Sequence, residues 1–409
     1  MTDYSKVSIP KSLTEGQRQT QTEMLQVPPK SNKLFIGIPK EETSMENRVA
    51  LVPASVATLV SHGHRVIVET GAGEKSNYSD HKFSEIGAEI AYSKEEVYKA
   101  SVILKVAPPT VEELDYFHSD QMLISPLQLP LISEEYINKL KKKRVIALAM
   151  EYIQDESGIF PIVRIMSEMA GNTALITAAE LLSKKNGGRG VLLGGISGVP
   201  PAKVVILGAG VVAEFAARVA IGLGAEIRVF DNNVYKLMRL QQVLHRQLNT
   251  STLNPIQLEK ELLTAEVVIG AIHSTTGRAP VIVSEDMVMK MKQGSVIVDI
   301  SIDQGGCFET SEVTTHKNPT FVKHGVIHYC VPNIASKVPR TASIAVSNIL
   351  VSILLRAGAS GNIERLMQHD MGLRHGVYIY KGTLTNQYLS ERFGIKYTDL
   401  DLLITSNLG

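Results

Sequence analysis

The sequence is poor in cysteine. Its 409 residues include two, Cys307 and Cys330, too few for a disulfide framework, and no CxxC pair offers zinc-ligand spacing. A reducing, cytoplasmic compartment and a protein without a metal site are the resulting expectations. No charge of one sign dominates: 42 Lys+Arg against 41 Asp+Glu leave a formal charge of +1. That excludes the basic footprint of a nucleic-acid binder. Long hydrophobic runs are missing as well. Residues 1–32 are polar and lack the apolar stretch of a secretory signal. The most apolar segment, Thr341 to Leu355, is interrupted by Ser343, Ser347, Asn348 and Ser352. It is shorter than the about 20 residues that span a bilayer, so it reads as a buried helix and no membrane partner is expected. No repeat of fixed period and no low-complexity tract is present.

What remains is an ordinary globular composition, 44% hydrophobic and 20% charged, long enough for two or three domains. Short runs of aliphatic and β-branched residues alternate with amphipathic segments. LFIGIP (34–39), RVIVET (65–70), SVILKV (101–106), MLISPL (122–127) and VIALAM (145–150) form one series. VVILG (204–208), IRVFD (227–231), VVIGAI (267–272), SVIVDI (295–300) and VIHYC (326–330) form a second. Strands apolar on both faces belong in parallel sheets covered by helices on each side. The fold class is therefore α/β, with two doubly wound Rossmann-like domains. Helical stretches near 162–184 and 340–356 are expected to cross between them, and the chain after Pro339 is expected to be mostly helical.

The sharpest motif is VVILGAGVVAEFAARVA, residues 204–220. Gly208, Gly210 and Ala213 make GxGxxA between an apolar strand and an amphipathic helix. The first glycine permits the tight turn, the second lets the main chain approach a pyrophosphate, and the small third residue lets helix and strand pack closely. The helix N-terminus offers free N–H groups to the phosphates. The next strand ends at Asp231, whose carboxylate would accept hydrogen bonds from ribose hydroxyls and repel a 2′-phosphate, favouring NAD over NADP. Gly71-Ala72-Gly73 also follows a strand but continues into a loop and reads as a structural turn. The glycines between Gly187 and Gly198 lack the spacing of a phosphate-binding lysine loop and read as a connector. These signals predict an N-terminal extension (1–32), a discontinuous substrate domain (33–161 and 340–409) and an inserted NAD-binding domain (162–339).

Several blocks then carry a family likeness. IGIPKEETSMENRVALVPASV (36–56), GAGEKSNYSD (71–80), ILKVAPP (103–109), MSEMAG (166–171), GGRGVLLGG (187–195) and VDISIDQGGCFETS (298–311) resemble the alanine dehydrogenase and pyridine nucleotide transhydrogenase α-subunit family. The SEMAG and DIxIDQGGCFE blocks are closer to its alanine dehydrogenases. The resemblance implies NAD-dependent interconversion of L-alanine with pyruvate and ammonia by a homo-oligomer, typically a hexamer. It places Arg48 and Lys105 on the substrate carboxylate and oxo group and Asp303 beside the nicotinamide. It puts Ser167, Lys236, Ile300 and Asn333 with the cofactor, alongside Gly208, Gly210, Ala213 and Asp231. The chemistry agrees: a guanidinium fork holds a carboxylate bidentately and an ammonium polarises a carbonyl. Structural readings compete: a salt bridge of Arg48 with Glu46, a strand-end lysine at 105, and a turn-forming aspartate before Gln304-Gly305-Gly306.

One position departs from the family. Where its alanine dehydrogenases carry a catalytic histidine, after the strand MLISPL, this chain has Gln128. A glutamine donates and accepts hydrogen bonds but takes up no proton, and losing a general acid/base commonly costs about 10²–10⁴ in rate. Gln128 is then a substrate hydrogen-bonding group, and the proton work falls to Asp303, to another histidine such as His273, or to nothing. The alternatives to an alanine dehydrogenase are a relative acting on another amino or 2-oxo acid, a transhydrogenase-like hydride carrier, and an NAD-binding protein without catalysis.

Overall fold

The computed structural model describes residues 33–274 and 277–406; the extension 1–32 lies outside them. Two sheets organise the chain. The first contains β1 (Phe35–Ile38), β2 (Arg65–Glu69), β3 (Glu89–Ala91), β4 (Val102–Leu104), β5 (Met122–Ser125), β6 (Ile146–Ala149), β14 (Val377–Tyr380) and β15 (Thr383–Leu384), in the order β15-β14-β6-β5-β4-β1-β2-β3. The second contains β7 (Lys203–Leu207), β8 (Glu226–Phe230), β9 (Asn249–Ser251), β10 (Val267–Gly270), β11 (Val296–Asp299), β12 (Thr320–Lys323) and β13 (Val326–Tyr329), in the order β12-β13-β11-β10-β7-β8-β9. The central pairings of both are parallel. In the second sheet the strand order turns back between β7 and β10, the point where α/β folds open a ligand crevice beyond the carboxyl ends of the strands.

The aliphatic runs are buried on both faces, as their lack of alternation predicts: β4, β5, β6, β10 and β11 have no exposed residue. The chain after Pro339 is mostly helical, as expected, with one two-stranded hairpin among the helices. Val377-Tyr378-Ile379-Tyr380 pairs antiparallel with β6 and turns back into β15 through Lys381 and Gly382, at φ 46° and 91°. Both turn residues occupy the left-handed region that a two-residue hairpin demands.

Two long helices join the halves. Helix α1 (Pro161–Leu181) buries Ile162 in the first core, and Ala170, Ala174, Leu175 and Ala178 in the second. It packs on α2 (Val211–Gly222). A Cβ on Gly171 would run into the main chain of α2 at Val212 and Ala216, which gives the SEMAG block a packing reason. Helix α3 (Pro339–Ser360) is 22 residues long and apolar enough, by length and composition, to cross a membrane. In the fold it buries Val346, Leu350, Ile353 and Leu354 in the first core. Its serines have structural work. Ser343 and Ser347 are fully buried, and their hydroxyls accept the main-chain N–H of Val49 and Val52, each at 3.0 Å. Ser347→Ala would leave the Val52 N–H without this partner. The expected cost is about 1–3 kcal/mol, read as a lower midpoint in urea unfolding.

Candidate active site

The loops at the carboxyl edges of the two sheets meet. On the first sheet, Glu41 follows β1, Lys105 follows β4, Gln128 follows β5 and Glu151 follows β6. On the second, Asp231 follows β8, Gly208 follows β7, Asp303 follows β11 and Asn333 follows β13. Parallel pairing fixes this arrangement, because every strand in register delivers its C-terminal loop to the same side.

Arg48 stands at the junction. It is 7% exposed and grips Glu46 through two bonds, Nε to Oε1 at 2.7 Å and Nη2 to Oε2 at 2.6 Å. Nη2 also donates to the Val106 carbonyl at 3.2 Å, and Nη1 rests on the Met166 sulfur at 3.1 Å. The salt bridge set against a substrate role in the sequence is real, and it is buried. Burial alone would raise the Glu46 pKa; the Arg48 charge and its hydrogen bonds outweigh that and leave it below the ordinary carboxylate range. Glu46 also spans the lobes: Asn333 Nδ2 donates to its Oε2 at 2.9 Å and the Ser336 hydroxyl to its Oε1 at 3.3 Å. The main-chain N–H of Asn333 in turn donates to Asp303 Oδ1 at 3.1 Å, and Asn333 adopts the left-handed φ of 54° to do so. Asp303 is exposed as a residue, yet protein crowds its carboxylate. That desolvation raises its pKa against the pull of the Asn333 N–H and of Arg48.

Lys105 lies behind this group, fully buried, with its ammonium 2.9 Å from Glu113 Oε1 and 3.1 Å from Glu41 Oε2. Burial favours the neutral amine, but the two carboxylates more than offset it and hold the lysine charged. Gln128 is half-buried at φ 44°. Its N–H and that of Leu127 converge on Glu151 Oε1, at 3.4 and 2.7 Å. Ser167 is half-buried on α1, beside Met166. His273 is exposed in the loop after β10, and its charged neighbour is Lys236.

The nucleotide side fits a dinucleotide. Gly208 sits at φ 107°, where a Cβ would strike the Ala271 carbonyl just beyond the end of β10; a Cβ on Gly210 would meet nothing within 4 Å. Ala213 is fully buried against the sheet, and no side chain caps the N-terminus of α2 at Gly210. Asp231 accepts the Ala209 N–H at 2.8 Å and the Asn233 N–H at 2.7 Å, which fixes its carboxylate at the edge of the glycine turn. Lys236 is exposed on the following helix, and Ile300 is half-buried where β11 ends.

Several residues here had no sequence signal: Glu41, Glu113, Glu151, Asp299 and Ser336. A buried lysine requires carboxylate partners, but nothing local says which ones. Asp299 matters most for the loop that carries Asp303. It is 1% exposed and accepts the Ser301 N–H at 3.0 Å, the Cys307 N–H at 2.9 Å and the Ser311 hydroxyl at 2.6 Å. Cys307 and Cys330 are free, buried thiols in this same neighbourhood. Asp299→Asn would oppose an amide donor to existing donors. It should cost about 2–3 kcal/mol in chemical unfolding and lower kcat, because the Asp303 loop loses its clasp.

Family models agree with this geometry. "Alanine dehydrogenase/PNT, N-terminal domain" matches residues 37–170 and "Alanine dehydrogenase/PNT, C-terminal domain" matches residues 174–387. Alanine dehydrogenase 2 of Staphylococcus aureus (strain USA300) is 40% identical over 367 residues, which are 90% of this chain and 98% of that protein. A solved L-alanine dehydrogenase superposes with a TM-score of 0.82 at 36% identity, covering 88% of this chain and 99% of its own. A transhydrogenase from Sinorhizobium meliloti superposes with a TM-score of 0.74 at 25% identity, covering 86% and 99%.

Proposed function

Because the chain belongs to the alanine dehydrogenase/pyridine nucleotide transhydrogenase family, we propose that it is an NAD-dependent alanine dehydrogenase, interconverting L-alanine with pyruvate and ammonia. The observation that carries the reading is the junction itself. A buried guanidinium, oriented by Glu46, lies within electrostatic reach of Asp303 on the opposite lobe. In this reading the lobes are the discontinuous substrate domain (33–161 and 340–409) and the inserted domain (162–339). Their sheet membership supports the division, since β14 and β15 return to the first sheet.

Gly208, Gly210, Ala213 and Asp231 would hold NAD, with Ser167, Lys236, Ile300 and Asn333 along its length; when bound, the nicotinamide accepts or returns the hydride of the substrate Cα. The acid's carboxylate docks on the face of Arg48 that Glu46 leaves free. The Glu46 clamp removes the freedom of a long side chain before the substrate arrives, so less ordering entropy is lost on binding. Lys105 polarises the carbonyl oxygen of pyruvate, which requires its ammonium to exchange one carboxylate for the substrate. Its charge is secured by the other. Asp303 stabilises positive charge on the substrate nitrogen, and the Gln128 amide hydrogen-bonds the substrate without moving a proton. A homo-oligomer follows by family analogy. The test is spectrophotometric: the purified chain should oxidise NADH when given pyruvate together with ammonium, and neither alone should suffice. No turnover above background would remove the alanine assignment.

A further inference from the structure

Gln128 leaves the proposed reaction without an acid/base where the family has one, and the fold supplies another imidazole. Strand β12 runs antiparallel to β13, with Thr320 paired to Tyr329. The loop that enters β12 therefore lies at the carboxyl edge of the parallel strands, on the side of Asp303 and Asn333. Thr314 clamps this loop to the end of β13: its N–H donates to the Cys330 carbonyl at 3.0 Å and its hydroxyl accepts the Cys330 N–H at 3.3 Å. Two residues on, His316 leans against the main chain of Asn333, and its charged neighbours are Glu46, Arg48 and Lys337. Its Nε2 is buried and has no hydrogen-bond partner. The sequence contains eleven histidines. His316 has its interactions with the Glu46–Arg48–Asn333 group that also holds Asp303, whereas His273 has Lys236 as its charged neighbour.

We infer that His316, from the nucleotide-binding lobe, carries the protons of imine hydration and ammonia release that Gln128 is unable to carry. This rests on the alanine dehydrogenase reading above. After hydride has left Cα, the substrate is an iminium. Water adds to its carbon and gives a proton to His316 Nε2, leaving a neutral carbinolamine. The imidazolium returns that proton to nitrogen. The C–N bond breaks with its electron pair on ammonia, the hydroxyl proton passes to His316, and pyruvate remains. His316 then releases the proton to solvent. The surroundings suit this cycle. Burial, opposed by the Asn333 main chain and Glu46 and aided by Lys337 and Arg48, holds the ring below its ordinary pKa and so neutral at the start. The Glu46 carboxylate stabilises the imidazolium that forms.

His316→Asn keeps a polar group near Asn333 and removes the proton carrier. It is expected to lower kcat for alanine oxidation by about 10²–10³-fold, to leave NADH affinity unchanged by fluorescence titration, and to abolish the acid limb of the kcat–pH profile. Adding Gln128→His to that variant should recover at least about tenfold, within the range expected of a restored acid/base. An acid limb that persists in His316→Asn at the wild-type position overturns the inference, whatever happens to kcat, and leaves the alanine dehydrogenase reading standing. A wild-type protein without turnover removes that reading and this inference together.

Discussion

Arg48→Met is expected to cut kcat/KM for alanine by about 10²-fold, the loss of one charge-assisted hydrogen bond from Nη1, the guanidinium nitrogen that Glu46 leaves free, to the substrate carboxylate. It is also expected to destabilise the fold. Arg48 is the partner of a carboxylate that is 1% exposed, and removing one member of a buried pair costs about 3–5 kcal/mol, because the other is left uncompensated. The two effects separate in a double-mutant cycle. Glu46→Gln with Arg48→Met should regain much of the lost stability, since no orphan charge remains, and should regain no activity. The pH dependence has a definite sign. The Glu46 carboxyl titrates below its ordinary value, so the stability it contributes is complete above the unfolded pKa of about 4.3 and disappears as pH falls through the lower folded value. Acid unfolding monitored by circular dichroism should lose this component in Arg48→Met. A variant with wild-type stability and wild-type kcat/KM would mean that Arg48 faces neither Glu46 nor substrate.

The second large effect is at the glycine turn, where two similar substitutions should fail differently. Gly208→Ala places a methyl group against the Ala271 carbonyl, at a backbone φ of 107° that side chains avoid. It should lower both the unfolding midpoint and the affinity for NADH. Gly210→Ala meets no protein atom within 4 Å, so the fold should tolerate it. The methyl group instead occupies the approach of the pyrophosphate, and NADH affinity should still fall by about 10²-fold or more, as expected when a close main-chain approach is blocked. Fluorescence titration with NADH alongside thermal unfolding distinguishes the cases. Equal NADH affinity in Gly210→Ala and the wild type would place the cofactor elsewhere.

The readability of the molecule followed the range of its interactions. The GxGxxA turn and Asp231 were legible because strand, turn, helix and acid lie within one βαβ unit, and their roles depend on local backbone geometry. The buried strands were legible from unbroken aliphatic runs. Strands β3, β9 and β12 were not, being short and in part polar, as in Asn249-Thr250-Ser251. The β14–β15 hairpin carried a usable signal, a β-branched and aromatic run before Lys381-Gly382, which the helical character of the surrounding tail obscured. Ser343 and Ser347 marked their segment as a buried helix, and both are fully buried in α3. That they accept the N–H groups of the Arg48 segment depends on contacts 294 and 295 residues apart in sequence. The same distance hides the site. Glu46 and Asn333 are 287 residues apart, and no periodicity or spacing brings them together. Arg48, Lys105 and Asp303 carried a family likeness, whereas the place of His316 depends on β12 running antiparallel to β13, which no local pattern encodes.

Direct hydride transfer across the crevice is the claim on which the rest depends. Incubating the protein with [4,4-²H₂]NADH, pyruvate and ammonium and analysing the product by mass spectrometry tests it most directly. The account predicts alanine carrying deuterium at Cα, with one label per NADH consumed. Alanine without the label, or NADH consumption with no alanine formed, would contradict it.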